Sequence, residues 1–299
     1  MYPLLFESGF ISVYSLWFFV AVGFVVSSWV FISLGKRMRI RMNALMENSF
    51  LLLFWTATVS RLFFVFLHPD HFFYRFSLSR ALSILAIWDK GFSFWGAVFA
   101  WFLAVWFFSH KQGESSKRLF DLAVPAVLIG MFFGNIGTFL DGINYGKPTD
   151  LPWGMMFRNS HVKYISDIHP TQLYAALYSL IIGLAVIFLL KKTRGALPGL
   201  AAEVGVFLFS FFKFLEEFFR GDETIKIFWL RLPQVMAFFV CLWAGYLLFL
   251  RYHDDHGSDP NQFVKKFMDA ILSKLKGRRG KPSSGETSAS LRSLPAQTR

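Results

Sequence analysis

Long apolar segments separated by short polar connections make up most of this 299-residue chain. Seven of these segments are about 20 residues long, the length that an α-helix needs to cross about 30 Å of hydrocarbon. The segments are 11–34, 47–67, 91–109, 120–142, 171–190, 197–219 and 229–250. The pattern predicts an all-α polytopic membrane protein, with seven transmembrane helices in one domain over residues 1–250.

The remainder, residues 251–299, is predicted to form a basic tail. Within residues 259–276, apolar side chains share one helical face and lysines occupy the opposite one. This pattern is typical of an amphipathic helix on an anionic membrane surface, and a solvated charged helix is the alternative. Residues 277–299 are rich in Ser, Gly, Pro and Arg, which is the composition of a disordered segment.

Composition and charge agree with a membrane protein. The sequence is 55% hydrophobic, with 39 Phe and a mean hydropathy of +0.45. Lys and Arg concentrate after the first, third and fifth segments and in the tail, which predicts an N-terminus outside and a cytoplasmic C-terminus. The net charge of +12 reflects this bias, and no nucleic-acid motif accompanies it. Because Cys241 is the only cysteine, a disulfide within one chain is excluded and a thiol-based mechanism is not favoured.

Residues 130–174 carry the strongest signal for chemistry. Five glycines, together with asparagine and aspartate, lie between Gly130 and Gly146 at the end of an apolar segment. Such residues at membrane depth are costly unless they line a cavity walled by protein. Across a polar connection, His169 opens the next segment, and Gln172 follows within one turn. We therefore predict a functional site here; for His169 alone, a helix-capping or packing role is the alternative.

Charged residues inside the apolar segments need a partner or a wet cavity. The basic ones are Arg61, Lys213, Arg220 and Arg231, and the acidic ones are Asp121, Glu203, Glu216 and Glu217. Lys213 and Glu217 are four residues apart, a spacing that favours an ion pair on one helix face. No acidic residue lies near Arg61 along the sequence, which makes Arg61 a candidate for binding a ligand, whereas Arg231 is expected to snorkel to the interface. No cluster of His, Cys, Asp or Glu has the spacing of a metal site, so neither a metal nor a cofactor is predicted.

In chain order, these residues resemble the prolipoprotein diacylglyceryl transferase family over roughly residues 10–250. The resemblance is carried by Tyr14, Ser60-Arg61-Leu62, residues 87–96, 121–125, 134–137, 142–146 and 150–154, His169-Pro-Thr-Gln-Leu-Tyr174 and Glu217-Phe-Phe-Arg220. Enzymes of this family move a diacylglyceryl group from phosphatidylglycerol onto the thiol of a lipobox cysteine, and glycerol phosphate leaves. The resemblance implies a transferase of the bacterial inner membrane that acts on an anionic phospholipid and a prolipoprotein signal peptide.

That reaction needs cations to hold the phosphate and a base to deprotonate the thiol. By the resemblance, the catalytic residues are Tyr14, His169, Lys213 and Glu217. The residues implied to bind substrate are Arg61, Asn135, Gly137, Thr138, Gly142, Gly146, Gln172 and Arg220. Arg61, Lys213 and Arg220 are expected to converge on one cavity open to the outer leaflet, where an anionic phospholipid balances their charge.

Five positions depart from the family pattern. Asn135 replaces a basic residue, Thr138 an asparagine, Ile143 an acidic residue, Trp95 a histidine and Lys213 an arginine. Asn135 supplies no charge, Trp95 cannot act as a base, and Lys213 offers a point charge without a bidentate fork. Either Arg61 and Lys213 hold the phosphate while His169 takes the proton, or transferase activity is lost.

Two other functions stay open for this reason. In one, the chain is a paralogue that binds phospholipid or lipoprotein without transferring a group. In the other, it is a transferase that uses the same lipid with a different acceptor. A transporter is not favoured, because no inverted repeat is visible in the sequence.

Overall fold

The computed structural model describes residues 4–8, 11–40, 47–69, 91–113, 115–157, 162–193 and 195–254. Within these ranges the chain forms seven helices: α1 (Ser15–Met38), α2 (Ser49–Leu67), α3 (Phe94–Gln112), α4 (Ser116–Asp141), α5 (Thr171–Thr193), α6 (Leu200–Glu216) and α7 (Leu232–Asp254). Two short antiparallel hairpins accompany them, β1 (Leu4–Ser8) with β2 (Ile11–Tyr14) and β3 (Lys226–Ile227) with β4 (Leu230–Arg231). The amphipathic helix predicted for 259–276 lies outside the described residues.

Each predicted apolar segment corresponds to one of these helices. Five of the described helices are long and apolar enough to cross a membrane: Ser15–Met38, Phe50–Leu67, Ser116–Asp141, Thr171–Thr193 and Leu232–His253. The mostly helical, multi-pass architecture is therefore confirmed, while the count of seven spans and the orientation of the termini stay predictions. Internal contacts divide the chain into two units, Met1–Leu248 and Phe249–Arg299, and the site residues all belong to the first.

The structure differs from the all-α prediction at the start of the first segment. Residues 11–14 form strand β2, and the helix begins only at Ser15. The sequence Ile11-Ser-Val-Tyr14 alternates apolar and polar residues, a period-two pattern that favours a strand. Tyr14 pairs with Leu4 at the end of the hairpin and keeps an extended backbone at the N-cap of α1.

Helix α4 packs against α1, α5 and α6, and nearly all of its residues 119–129 are buried. Two glycines allow α1 and α4 to approach closely. A Cβ atom at Gly23 would lie 2.6 Å from the carbonyl oxygen of Gly130, so neither helix tolerates a side chain at this crossing. Small residues of this kind are the usual means by which membrane helices pack closely.

A buried carboxylate sets the start of α6. Asp121 of α4 accepts hydrogen bonds from the backbone nitrogens of Gly199, at 2.6 Å, and Ala202, at 2.8 Å. The first amides of a helix have no partner within the helix, and a negative charge beside them is favoured by the helix dipole. The acidic residue inside an apolar segment is therefore explained by a cap supplied from a neighbouring helix.

Helix α2 pairs with α3 through its buried Ser60. The Ser60 hydroxyl donates to the Ser93 carbonyl at 2.7 Å, and the Ser93 amide donates to the Ser60 carbonyl at 3.2 Å. Gly96 lies directly against the Phe63 side chain. This contact fixes the start of α3, and with it Trp95, close to the helix that carries Arg61.

Candidate active site

Three chain segments meet where α4 and α6 end and where α5 begins; we call this meeting point the junction, formed by residues 142–147, 168–172 and 216–222. Gly146 and Arg220 form an isolated antiparallel bridge. The Gly221 amide donates to the Tyr145 carbonyl at 3.0 Å, and the His169 amide donates to the Lys147 carbonyl at 3.0 Å. Backbone hydrogen bonds thus join the glycine-rich turn to both of its neighbours.

The glycines of the junction are required by backbone geometry. Gly142 caps the C-terminus of α4 with φ of 77°, a left-handed conformation that favours glycine. A Cβ atom at Gly146 would overlap the backbone carbonyl of His169, and one at Gly221 would overlap the carbonyl of Gly146. The spacing of the glycine signature therefore reflects close backbone contact between segments.

The start of α5 is tied to the same turn by two side chains. The Thr171 hydroxyl donates to the Asn144 carbonyl at 2.7 Å, and Gln172 Nε2 donates to the Ile143 carbonyl at 2.7 Å. Both donors are buried. Within the described part of the chain, the Gln172 Oε1 atom is buried and has no hydrogen-bond partner.

His169 is half-buried at the edge of the junction. Its Nδ1 atom lies 3.2 Å from the hydroxyl of Tyr174, which also accepts a hydrogen bond from Trp153 Nε1 at 2.8 Å. The imidazole packs against the Phe219 ring with centroids 5.1 Å apart. Desolvation lowers the pKa of His169 below its ordinary value of 6.5, so the imidazole is neutral at neutral pH and able to accept a proton.

Six charged side chains form what we call the ion cluster: Lys213, Glu216, Glu217, Arg220, Asp222 and Arg231. Lys213 Nζ lies 3.1 Å from both Glu216 oxygens and 3.0 Å from Glu217 Oε1. The predicted pair between Lys213 and Glu217 is therefore confirmed. An ammonium has three donors, and three carboxylate oxygens surround this one.

Arg220 connects the ion cluster to the glycine-rich turn. Its Nε and Nη2 atoms donate to the two Asp222 oxygens at 2.7 and 2.6 Å, and Nη2 also donates to Asn144 Oδ1 at 2.8 Å. Nη1 lies 3.8 Å from one oxygen each of Glu216 and Glu217. Burial opposes the charge, but the Asp222 hydrogen bonds and the neighbouring carboxylates outweigh it and raise the pKa of Arg220.

The prediction that Arg231 snorkels to the interface is wrong. The side chain is buried, and its Nε atom donates to Glu217 Oε2 at 2.8 Å. Its Nη1 and Nη2 atoms donate to the Asp222 backbone and side-chain oxygens at 2.6 and 2.9 Å. A guanidinium with acceptors in reach has no need to extend to water. Spacing along the sequence does not reveal these partners, because the turn after α6 brings them together.

Charge in the ion cluster is formally balanced. Three cations face three carboxylates, although spacing along the chain pointed to Glu217 as the main acidic neighbour. Tyr178 of α5 adds a hydrogen bond to Glu216 Oε2 at 2.7 Å. Sequence reasoning missed Asp222, Asn144 and Tyr178 as members of this network. It also did not pair Glu216 with Lys213, although a spacing of three residues favours that contact on one helix face.

Comparison with known proteins identifies the family of the chain. The profile of the prolipoprotein diacylglyceryl transferase family matches residues 3–250. The chain belongs to this family. A transferase relative from Solidesulfovibrio magneticus is 31% identical over 60% of this chain and 69% of its own length. One from Wolbachia pipientis is 32% identical over 78% of this chain and 87% of its own length.

The matched region covers less of other relatives. A relative from Clostridium tetani is 30% identical over 54% of this chain, which spans 64% of that protein. All three relatives bear the name phosphatidylglycerol–prolipoprotein diacylglyceryl transferase. The resemblance drawn from the motifs is therefore confirmed at the level of the family, which is a family of transferases.

Two of the residues that depart from the family pattern form side-chain hydrogen bonds within their own helix. Asn135 Nδ2 donates to the Met131 carbonyl at 2.9 Å, and the Thr138 hydroxyl donates to the Asn135 carbonyl at 2.8 Å. Both side chains therefore donate to backbone carbonyls of α4. Gly137 packs on α1, where a Cβ atom would lie 3.2 Å from Leu16 Cα. Tyr14, two residues before Leu16, is half exposed at the same end of the helices.

Arg61 contacts its own helix and the segment before α3. It is buried on α2, where its Nη1 atom donates to the Gly91 carbonyl at 2.9 Å and its guanidinium lies 5.8 Å from the centre of the Phe64 ring. These contacts join Arg61 to its own helix and to the approach to α3. Its convergence with Lys213 and Arg220 on one ligand stays a prediction.

Trp95 lines a cavity of about 430 Å³ between α3, α4, α6 and α7. The lining is almost entirely apolar, with Ser210 as its one hydroxyl. Trp95 Nε1 is buried, without a hydrogen-bond partner among the described residues. Phe94 contacts Phe209 of α6, with ring centroids 6.2 Å apart. Phe209 lines the cavity, and α6 also carries part of the ion cluster, so the cavity and the ion cluster lie along the same helix.

Proposed function

We propose that this protein transfers a diacylglyceryl group from an anionic phospholipid of the phosphatidylglycerol type to the lipobox cysteine of a prolipoprotein. The observation that carries the proposal is the family match over residues 3–250. The junction supports it, because His169, Gln172, Gly146 and Arg220 come together there from three segments. We place the reaction in the bacterial inner membrane.

In the proposed reaction, neutral His169 accepts the proton of the substrate thiol. The thiolate forms a carbon–sulfur bond as the carbon–oxygen bond to the phosphate breaks, and the electron pair stays on the oxygen of the departing glycerol phosphate. Protonated His169 then returns the proton to that group. Positioned cations lower the barrier by stabilising the charge that develops on the leaving group.

Arg220 is the cation best placed for that role. Its Nη1 atom is 3.8 Å from the nearest carboxylate oxygens, too far for a hydrogen bond, so this donor is open to a phosphate. Lys213 is surrounded by three carboxylate oxygens and therefore acts on the phosphate only through its charge, or after the ion cluster rearranges.

The apolar cavity suits one acyl chain of the lipid. An engineered apolar cavity of about 150 Å³ accommodates benzene, and the cavity beside Trp95, about 430 Å³, is roughly three times as large. By proportion it holds on the order of 17 carbon atoms. That is the size of a single acyl chain, so the second chain would extend into the bilayer.

We also propose seven spans, with the N-terminus outside and the C-terminus cytoplasmic. α4 and α6 end at the junction while α5 begins there, and basic residues concentrate at the opposite ends, as at Lys36, Arg37, Lys191 and Lys192. The positive-inside bias supports a junction on the outer side of the membrane.

A second candidate is a paralogue that binds phospholipid or lipoprotein without transfer. The balanced ion cluster favours it, because a site without surplus positive charge holds a phosphate weakly. Asn135 and Thr138 favour it as well, since both are bonded to their own helix.

The deciding experiment incubates the purified chain, in vesicles that contain labelled phosphatidylglycerol, with a synthetic lipobox peptide. Transfer predicts a labelled thioether on the peptide, lost in His169→Ala and in a peptide whose cysteine is replaced by serine. Retention of labelled lipid by the chain with no thioether product would support the paralogue and contradict the transferase.

A further inference from the structure

The β3–β4 hairpin carries two of the most exposed large side chains of the described residues. Phe228 is 89% exposed and Trp229 is 84% exposed. They form a two-residue turn between Ile227 and Leu230, which pair across the hairpin. Phe228 has φ of 54°, at a turn position that glycine fills with least strain. A bulky aromatic residue in a left-handed conformation is strained, and such residues are found most often at functional sites.

The base of this hairpin is held rigidly. Arg231, its last residue, is bonded to Glu217 and Asp222 within the ion cluster. The Leu232 amide donates to the Ile225 carbonyl at 2.8 Å, closing the hairpin from the other side. The direction of the aromatic tip is therefore set by buried polar contacts, not by the tip itself.

The height of the tip relative to the membrane follows from its place in the chain. Helix α7, a candidate span, begins at Leu232, three residues after Trp229. At about 3.3 Å per residue, the tip lies within ~10 Å of the first residue of that span. With α7 as a membrane span, this distance keeps the tip near the boundary between hydrocarbon and headgroups, where tryptophan is enriched in membrane proteins.

We propose that Phe228 and Trp229 insert into the lipid interface beside the junction and anchor this end of α6 and α7 to the bilayer. Lipid is favoured over a protein partner because the helix that follows the tip, α7, is a candidate membrane span with exposed aromatic side chains, such as Phe239, which is 61% exposed. Lys226 next to the tip suits anionic phospholipid headgroups. The polar end of the same loop carries Glu223, in an exposed ion pair with Lys163. This anchoring does not depend on which reaction the junction performs.

The test places one fluorescent label on the full-length chain in vesicles of phosphatidylethanolamine and phosphatidylglycerol. Cys241→Ser removes the natural thiol, and Trp229→Cys then accepts an environment-sensitive dye. The matched control is Glu223→Cys, six residues away on the same loop. Quenching is measured with brominated lipids and with iodide present on both sides of the membrane.

We expect lipid bromine to quench the dye at 229 several-fold more than the dye at 223, and iodide to show the reverse order. Equal quenching by iodide at both positions would overturn the proposal. Protection at 229 from both quenchers would also overturn it, because it would mean that protein covers the tip. If Trp229→Cys does not fold, as judged by gel filtration, Phe228→Cys takes the same measurement.

Discussion

Gly146 leaves no space for a side chain at the centre of the junction, and this makes it a sharp test at the residue scale. An alanine there would push a methyl group into the His169 carbonyl, so we expect Gly146→Ala to lower the thermal stability of the chain. The matched control is Gly134→Ala on α4, where open space surrounds the position of the added methyl group. That change should stabilise by about 0.5–1 kcal/mol, as alanine for glycine in a helix does. Equal melting temperatures for the two variants would contradict the packing argument.

The lowered pKa of His169 predicts how transfer and stability depend on pH. In the proposed reaction the neutral imidazole accepts the proton of the thiol, so transfer should be constant near pH 7 and fall as pH drops through a value below 6.5. The folded state binds this proton more weakly than the unfolded state, so protonation below pH 6.5 also favours unfolding. Rates and melting temperatures from about pH 5 to 8 check both effects. In His169→Gln, the fall in melting temperature with decreasing pH should become shallower.

Sequence spacing predicted some residue contacts and not others, for a physical reason. Lys213 and Glu217 share one helix, so a spacing of four residues is enough to pair them. Gln172 bonds to a carbonyl 29 residues away, and Arg231 reaches Glu217 from 14 residues away. These contacts depend on turns whose path no periodicity encodes.

At the scale of elements, Arg231 joins the start of α7 to the end of α6. Arg231→Gln would leave Glu217 and Asp222 without one of their cations in a buried setting, and breaking a buried ion pair typically costs about 3–5 kcal/mol. We expect a loss of this order in thermal or denaturant unfolding. Lys163→Gln, which breaks an exposed pair with Glu223, is the control and should change stability by at most ~1 kcal/mol. A comparable loss in both variants would argue against the buried network.

Hydrophobic length predicted where helices occur better than where they begin. All seven described helices lie within predicted apolar segments or overlap them closely. The first segment was predicted to start at residue 11, ahead of the observed start of α1 at Ser15. Apolar content alone does not distinguish a short strand from the first turn of a helix. The N-terminus of α6 depends on Asp121 of another helix, a cap that lies 78 residues away and leaves no local signal.

At the scale of the whole molecule, the basic residues of the connections predict the orientation of every span. Reporter fusions after residues 42, 114 and 255 should report the cytoplasm, and fusions near 75 and 155 should report the outside. The fusion near 155 matters most, since the segment that follows leads to His169 and the junction. A cytoplasmic signal there would place the junction on the wrong face for a substrate that has crossed the membrane.

The last test concerns four residues that depart from the family pattern, Trp95, Asn135, Thr138 and Lys213. They are changed together because each reversal alone leaves the others in place. Asn135 and Thr138 are bonded to α4 and Lys213 to two carboxylates, so no single reversal supplies a cation, a base and an open site together. Trp95→His alone should therefore change transfer little.

The combined variant Trp95→His, Asn135→Arg, Thr138→Asn, Lys213→Arg should transfer to the lipobox peptide ~10²–10³ faster than the natural chain, since one electrostatic contact in a transition state is commonly worth that factor. The added arginine at 135 also gives the site the surplus positive charge that a phosphate requires. If both proteins transfer and their rates are equal, Arg220 and His169 already suffice, and the departures would then concern the choice of acceptor instead of the chemistry.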